Sequence, residues 1–291
     1  MTTITFIGYG EAGGILADAL AKVNPVTVWD CKLKGPERDA MITKAHRGGV
    51  RVAISLADAL TGAELIFSTV TAGSALDVAA QAAPLMTDTQ YFLDLNSVAP
   101  QTKRQAAECF KPGAYVDVAV MAPVPPGALR TPLLTGGPQA EAIAELLTTL
   151  GCNARYGGNH VGSVSAIKMC RSVMIKGLEA LTAECLFAAG HYGVEEQVLA
   201  SLHASFPSLG WNDALPDYLI SRVAEHGIRR SEEMEEVVKT LRDAAEDSVM
   251  SQATAIAQRH LPDRMAARGI AYAQLEPFNW KALTALLKDH I

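Results

Sequence analysis

Two clusters in this chain have residue types and spacings that can do chemistry. The first is Gly8-Tyr9-Gly10-Glu11-Ala12-Gly13, a GxGxxG run that directly follows a β-rich segment at residues 3–7. It opens a helical pattern of Ile15, Leu16, Ala19, Leu20 and Val23. In that setting Gly8 permits a tight strand-to-helix turn. Gly10 lets the backbone approach a pyrophosphate, and Gly13 lets helix and strand pack closely. The free N–H groups and positive dipole end of the helix then face the phosphates. A glycine-rich structural turn is the alternative. Asp30 ends the second β-rich run, 22 residues after Gly8. An acid there accepts hydrogen bonds from the adenosine ribose hydroxyls of NAD and repels the 2′-phosphate of NADP. Lys32 and Lys34 follow it, and either can pair with such a phosphate, so NADP is the alternative cofactor.

The second cluster surrounds Lys168. Ser165, Lys168, Arg171 and Ser172 recur at offsets of three and four, which places them on one side of a helix. Their neighbours Val164, Ile167, Met169, Val173 and Met174 are apolar. A polar stripe on a buried helix is costly unless it is paired or faces a cavity. A partly desolvated ammonium also has a lowered pKa, which suits a general acid/base working near neutrality. The alternative is a lysine snorkelling to the surface at a helix end.

The elements that must position these clusters change character along the chain. Residues 3–7, 26–29, 65–70, 91–95 and 115–120 are apolar and rich in β-branched or aromatic residues, with helical patterns between several of them. That alternation predicts an α/β fold, a doubly wound parallel sheet of Rossmann type with helices on both faces. Gly157, Gly158, Asn159 and Gly162 read as a turn-rich junction, so the expected domains are residues 1–158 and 159–291. The second is predicted to be all-helical. Residues 161–189 read as one long helix, apolar almost all round and therefore buried. Further helices are expected at about 194–204, 214–225, 231–246, 249–260 and 278–289, with a loop at 206–216.

Composition narrows the class. The 291 residues are 49% hydrophobic and 19% charged, with a net charge of −6, which fits a folded protein and offers no basic surface for nucleic acid or anionic lipid. No signal segment or membrane span is legible, and the five cysteines are scattered without a CxxC pair. A cytoplasmic location with reduced thiols and no metal is the expectation.

In this order the motifs resemble the β-hydroxyacid dehydrogenase superfamily, which includes 3-hydroxyisobutyrate, tartronate semialdehyde and 6-phosphogluconate dehydrogenases. Asp94-Leu95-Asn96-Ser97-Val98-Ala99-Pro100 resembles the family's D-x-S-T-x-x-P loop beside the nicotinamide. The expected cofactor contacts are therefore Gly8, Tyr9, Gly10, Glu11, Ala12, Gly13, Asp30, Val70, Thr71, Asn96 and Ser97. Gly162 through Ser172 resembles the G-x-x-x-K-x-x-x-N helix, and by that resemblance Lys168 is the catalytic residue.

Two departures concern the substrate. Asp117-Val118-Ala119-Val120-Met121-Ala122-Pro123 stands where the family has D-x-P-V-S-G-G, so the serine and glycine amides that hold a carboxylate are replaced by Met121, Ala122 and Pro123. Met121 offers no side-chain donor and Pro123 has no N–H. Ser172 replaces the family's asparagine. The segment 226–234 is similar to a less-studied branch. There Ser231 is expected to cap a helix, with Arg229 and Arg230 just before it able to bind a carboxylate or phosphate, or else to pair with Glu232, Glu233 or Glu236.

The resemblance implies an NAD(P)-dependent oxidoreductase acting on an anionic hydroxy acid or sugar acid, with Met121, Ala122, Pro123, Ser172 and Arg229 as substrate contacts. Two alternatives are an imine reductase, a family that commonly lacks the lysine, and a non-catalytic dinucleotide-binding sensor. The apolar helix at 161–189 predicts a homodimer.

Overall fold

A computed structural model describes residues 1–288; position 289, the last of the final predicted helix, lies outside them. The chain forms two compact units, Met1–Met169 and the part from Cys170 onward.

The first unit runs β1 (Ile4–Ile7), α1 (Glu11–Leu20), β2 (Val26–Trp29), α2 (Arg38–Arg47), β3 (Arg51–Val52), α3 (Leu56–Leu60), β4 (Leu65–Ser68), α4 (Ala75–Ala82), β5 (Tyr91–Asp94), α5 (Pro100–Ala107), β6 (Tyr115–Val120), β7 (Leu133–Gly136), α6 (Ala140–Thr149) and β8 (Ala154–Gly158). These strands make one eight-stranded sheet in the order β3-β2-β1-β4-β5-β6-β7-β8. The chain leaves β1 toward one side and returns to β4 on the other, so a switch point lies at their carboxyl ends, where open α/β sheets take ligands. The strands inside the two edges, β2 through β7 in sheet order, are buried on both faces, as a sheet covered by helices requires. Ile4, Phe6, Phe67, Leu93 and Val116 fill one face, and Ile7, Ile66, Phe92 and Tyr115 the other.

Two expectations are corrected here. The sheet is not wholly parallel, because β7 runs antiparallel to β6. The connection between them holds only a 3₁₀ turn at Ala128–Arg130, not the crossover helix that usually links parallel neighbours. Gly157 and Gly158 are not a free junction but the end of β8, paired to β7. A Cβ on Gly157 would lie 2.5 Å from Val164 Cγ1, so glycine there admits the start of the next helix.

That helix, α7 (Ser163–Tyr192), contains the division between the units. The second unit continues with α8 (Glu195–Ser205), α9 (Leu215–Asp243), α10 (Val249–Ala266) and α11 (Trp280–Lys288) around a core of Leu186, Ile220, Val223, Trp280 and Leu283. The predicted break before residue 231 does not exist. Helix α9 is continuous, and Ser231 is buried in its interior rather than capping a start. Gly227, inside this helix, is a packing site. A Cβ there would fall 2.2 Å from the Gln258 carbonyl oxygen of α10, so only glycine lets the two helices approach. Among the described residues, no helix is long and apolar enough to cross a membrane.

Candidate active site

The glycine loop follows β1 as its motif requires. Gly8 adopts φ +94°, and a Cβ on it would lie 2.5 Å from the Thr69 carbonyl oxygen. Gly13 leaves room for Gly8 O and Thr69 Oγ1, each 2.4 Å from where its Cβ would fall. Gly10 differs, because its Cβ direction meets only open space. Helix α1 begins there with no side-chain cap, so its first N–H groups remain available to a ligand. An uncapped helix start behind an open glycine fits a dinucleotide pyrophosphate.

Asp30 directly follows β2 and is buried. Its Oδ2 accepts the Tyr9 N–H at 2.8 Å and its Oδ1 the Lys32 N–H at 3.0 Å. The acid therefore fixes the glycine loop, and its Oδ2 keeps a lone pair for another donor. Tyr9 itself is buried, with its hydroxyl donating to Asp18; burial and that carboxylate push its phenol above the ordinary range.

Beside this loop, the end of β4 is tied to the end of β5. Val70 N–H donates to Asn96 Oδ1 at 2.7 Å, and Asn96 Nδ2 donates to Ser68 Oγ at 2.9 Å. Thr71 Oγ1 lies 3.1 Å from Ser74 Oγ. Asn96 is pinned in turn by its N–H, which donates to Asp94 Oδ1 at 2.9 Å.

Asp94 and Asp117 are register partners on neighbouring strands, so two carboxylates sit side by side with no exposure. Lys103 of α5, also fully buried, reaches both, at 3.0 Å to Asp94 Oδ1 and 3.3 Å to Asp117 Oδ1. Tyr115 donates to Asp94 Oδ2 at 2.6 Å; burial, with that carboxylate next, raises its phenol well above the ordinary value. Asp117 accepts from Gly162 N–H at 3.0 Å, Ser165 N–H at 3.3 Å and Ser165 Oγ at 2.7 Å, and so caps the start of α7. The first turns of α7 are thereby anchored to β6. One turn further on, Lys168 Nζ donates to Ser97 Oγ at 2.5 Å. Lys168 and the loop from Asp94 to Ser97 thus meet, as their spacing on the chain could not show.

The family of the NAD binding domain of 6-phosphogluconate dehydrogenase matches residues 3–158. This chain belongs to that family. A second match, to a domain of unknown function (DUF1932), covers residues 189–261. A conserved hypothetical protein from Sinorhizobium meliloti has a structure with TM-score 0.77 and 37% identity, spanning 99% of this chain and 96% of that one. Another conserved protein of unknown function, described as structurally similar to 3-hydroxyacid dehydrogenases, gives TM-score 0.71 and 31% identity over 90% and 97% of the two chains. The 3-hydroxyisobutyrate dehydrogenase of Pseudomonas aeruginosa is 29% identical over 230 residues, 72% of each chain.

In this chain the loop after β6 offers few backbone donors. Met121 spends its N–H on the Pro132 carbonyl at 2.9 Å, and Pro123 has none. Ala122 is the exposed residue between them.

The second unit holds Ser172 and Arg229. Ser172 Oγ accepts from Lys176 Nζ at 3.1 Å, and Lys176 pairs with Glu233 at 2.9 Å. Arg229 stands 4.0 Å from Glu233 with its side chain 57% exposed. Arg230, for which the sequence leaves open either an anion ligand or a pairing with Glu232, Glu233 or Glu236, is committed to Glu179 at 2.6 and 2.9 Å. Burial pushes the Glu179 carboxyl up against the pull of that guanidinium.

Lys103, Lys176 and Glu179 were missed in the sequence. The last two had a signal, since the stripe through Ser165, Lys168 and Ser172 continues at the same offsets to Lys176 and Glu179. Lys103 had none, because its partners come from strands β5 and β6.

Proposed function

We propose that this chain is an NAD-dependent oxidoreductase interconverting an alcohol and its carbonyl on an anionic hydroxy acid or sugar acid, with Lys168 as general acid/base. The observation that carries this reading is the 2.5 Å bond from Lys168 Nζ to Ser97 Oγ. It holds a lysine at the carboxyl edge of the sheet, beside the loop that follows β5. When bound, the nicotinamide supplies or accepts the hydride. Lys168 as free amine takes the alcohol proton, and as ammonium returns it to the oxygen. Ser97 takes one N–H and so directs the remaining valences of the nitrogen. Ser172 and Arg229 are the proposed contacts for the substrate's polar groups, since the loop at Met121, Ala122 and Pro123 retains so few donors.

Asp30 at the end of β2 supports NAD over NADP. Its basic neighbours have partners of their own. Lys32 pairs with Glu37 at 2.8 Å, and Lys34 lies 5.8 Å from the centre of the Trp29 ring. Met174 and Leu181 stand exposed along α7, at 73% and 55%, which supports a homodimer in which a second copy covers them. Light scattering at micromolar concentration reads that state directly.

The test is turnover of a panel of hydroxy acids and sugar acids with NAD and NADP, followed at the reduced-nicotinamide absorbance. Lys168→Ala should lower the rate by about 10²–10⁴-fold while NAD binding stays intact. Lys168→Arg should not restore it, because a guanidinium does not release its proton near neutrality. Most of the activity surviving in Lys168→Ala would overturn the assignment.

A further inference from the structure

The glycine loop has a support that its motif does not contain. Lys44, on α2, donates through Nζ to the carbonyls of Tyr9 at 3.1 Å and Gly10 at 2.9 Å. The ammonium also lies 4.4 Å from the centre of the Tyr9 ring. Gly14 faces it: a Cβ there would fall 2.4 Å from Lys44 Nζ and 2.9 Å from Lys44 Cε. The glycine that follows GxGxxG thus keeps open the space that the ammonium occupies.

These carbonyls matter because of what lies at the other end of their peptide units. The Tyr9 C=O shares its peptide with the Gly10 N–H, and the Gly10 C=O shares its own with the Glu11 N–H. A cation on the oxygen polarises the unit and strengthens the N–H as a donor. It also fixes the plane of the peptide, and so the direction in which the N–H points. Those N–H groups sit at the uncapped start of α1, where phosphate binds in folds of this kind. The Gly10 oxygen serves Gly14 N–H at 3.1 Å as well, so its two lone pairs answer to the helix and to Lys44.

We propose that Lys44 is a positioning residue for the dinucleotide: it orients and polarises the Gly10 and Glu11 amides for the pyrophosphate, and Gly14 exists to admit it. This rests on the reading of the loop as the dinucleotide site, which the wild-type titration tests separately.

The experiment measures binding and needs no substrate. NADH is titrated by fluorescence, and ADP-ribose and adenosine compete against it, for the wild type, Lys44→Met, Lys44→Arg and Gly14→Ala. Lys44→Met should weaken NADH and ADP-ribose about tenfold, the order expected for one charge-assisted hydrogen-bonding group, and adenosine less than twofold. Lys44→Arg should stay within about threefold of wild type. Gly14→Ala should weaken ADP-ribose while leaving the melting temperature unchanged or raised, because alanine is the better helix former. A merely structural role would not separate affinity from stability in that way. Unchanged ADP-ribose binding in Lys44→Met, or an equal loss for adenosine, overturns the role of Lys44. A wild type that binds neither NADH nor NADPH overturns the cofactor reading and this proposal together.

Discussion

Each unit buries a cluster of charges, and the two clusters are built on different terms. In the first, Asp94, Asp117 and Lys103 are fully enclosed, and the backbone supplies about half of their bonds. Asn96, Gly162 and Ser165 supply N–H groups to the carboxylates, and Lys103 Nζ donates to the Asp94 carbonyl at 2.6 Å. In the second, Glu179, Arg230 and Gln258 bond mainly through side chains, and Arg230 Nε and Gln258 Oε1 find no partner among the described residues. The cause lies in the elements. Strand ends and helix starts carry free backbone donors, whereas the interior of a helix has spent its own. A charge set at the carboxyl edge of the sheet can be solvated by backbone; one set between long helices must rely on other side chains.

The largest effect should come from breaking the first cluster. Lys103→Met leaves two adjacent buried carboxylates unpaired, and removing one member of a buried ion set costs about 3–5 kcal/mol. Urea unfolding should show that loss, and a loss under about 1 kcal/mol would mean the cluster is not as enclosed as the geometry says. The second cluster should behave differently. Arg230→Met alone should cost about 3 kcal/mol or more by stranding Glu179. The double variant Glu179→Leu/Arg230→Met should recover most of that, because no backbone donor depends on either charge. If the double variant is as unstable as the single, the contrast between the two clusters fails.

The smallest effect concerns His226, which sits near the second cluster on α9. Burial, followed by Arg222, Arg229 and Arg230, lowers its pKa from 6.5 to about 4. Glu233 pulls the other way but does not outweigh burial and those three cations, so the imidazole is neutral at pH 7. A proton that the unfolded chain binds more tightly than the folded one makes stability full above pH 6.5 and lost as pH falls toward 4. The melting temperature of His226→Gln should therefore fall less than that of wild type across this window. An identical slope would assign the pH dependence to other groups.

Much of the first unit was legible because its signals are local. GxGxxG after a strand fixes the turn by steric need alone, and Asp30 follows from the spacing of two strands. β3, β7 and β8 were not legible. The first is only two residues long, and the last ends in two glycines that read as turn. Lys168 showed its polar stripe, but not that Ser97, 71 residues away, would meet it.

What the sequence determined by itself is whatever depends on neighbours along the chain: the glycine turn, the alternation of strand and helix, and the polar offsets of α7. The tertiary structure alone decided which distant charges share a site. Lys103 has no motif, Lys44 has no motif, and Arg229 and Arg230 look alike in the sequence. One of those arginines is committed to Glu179, and the other stands half in solvent. The reason is physical. A side chain's charge is set by its type, but its partner is set by which elements pack together, and that choice is made by the apolar residues around it.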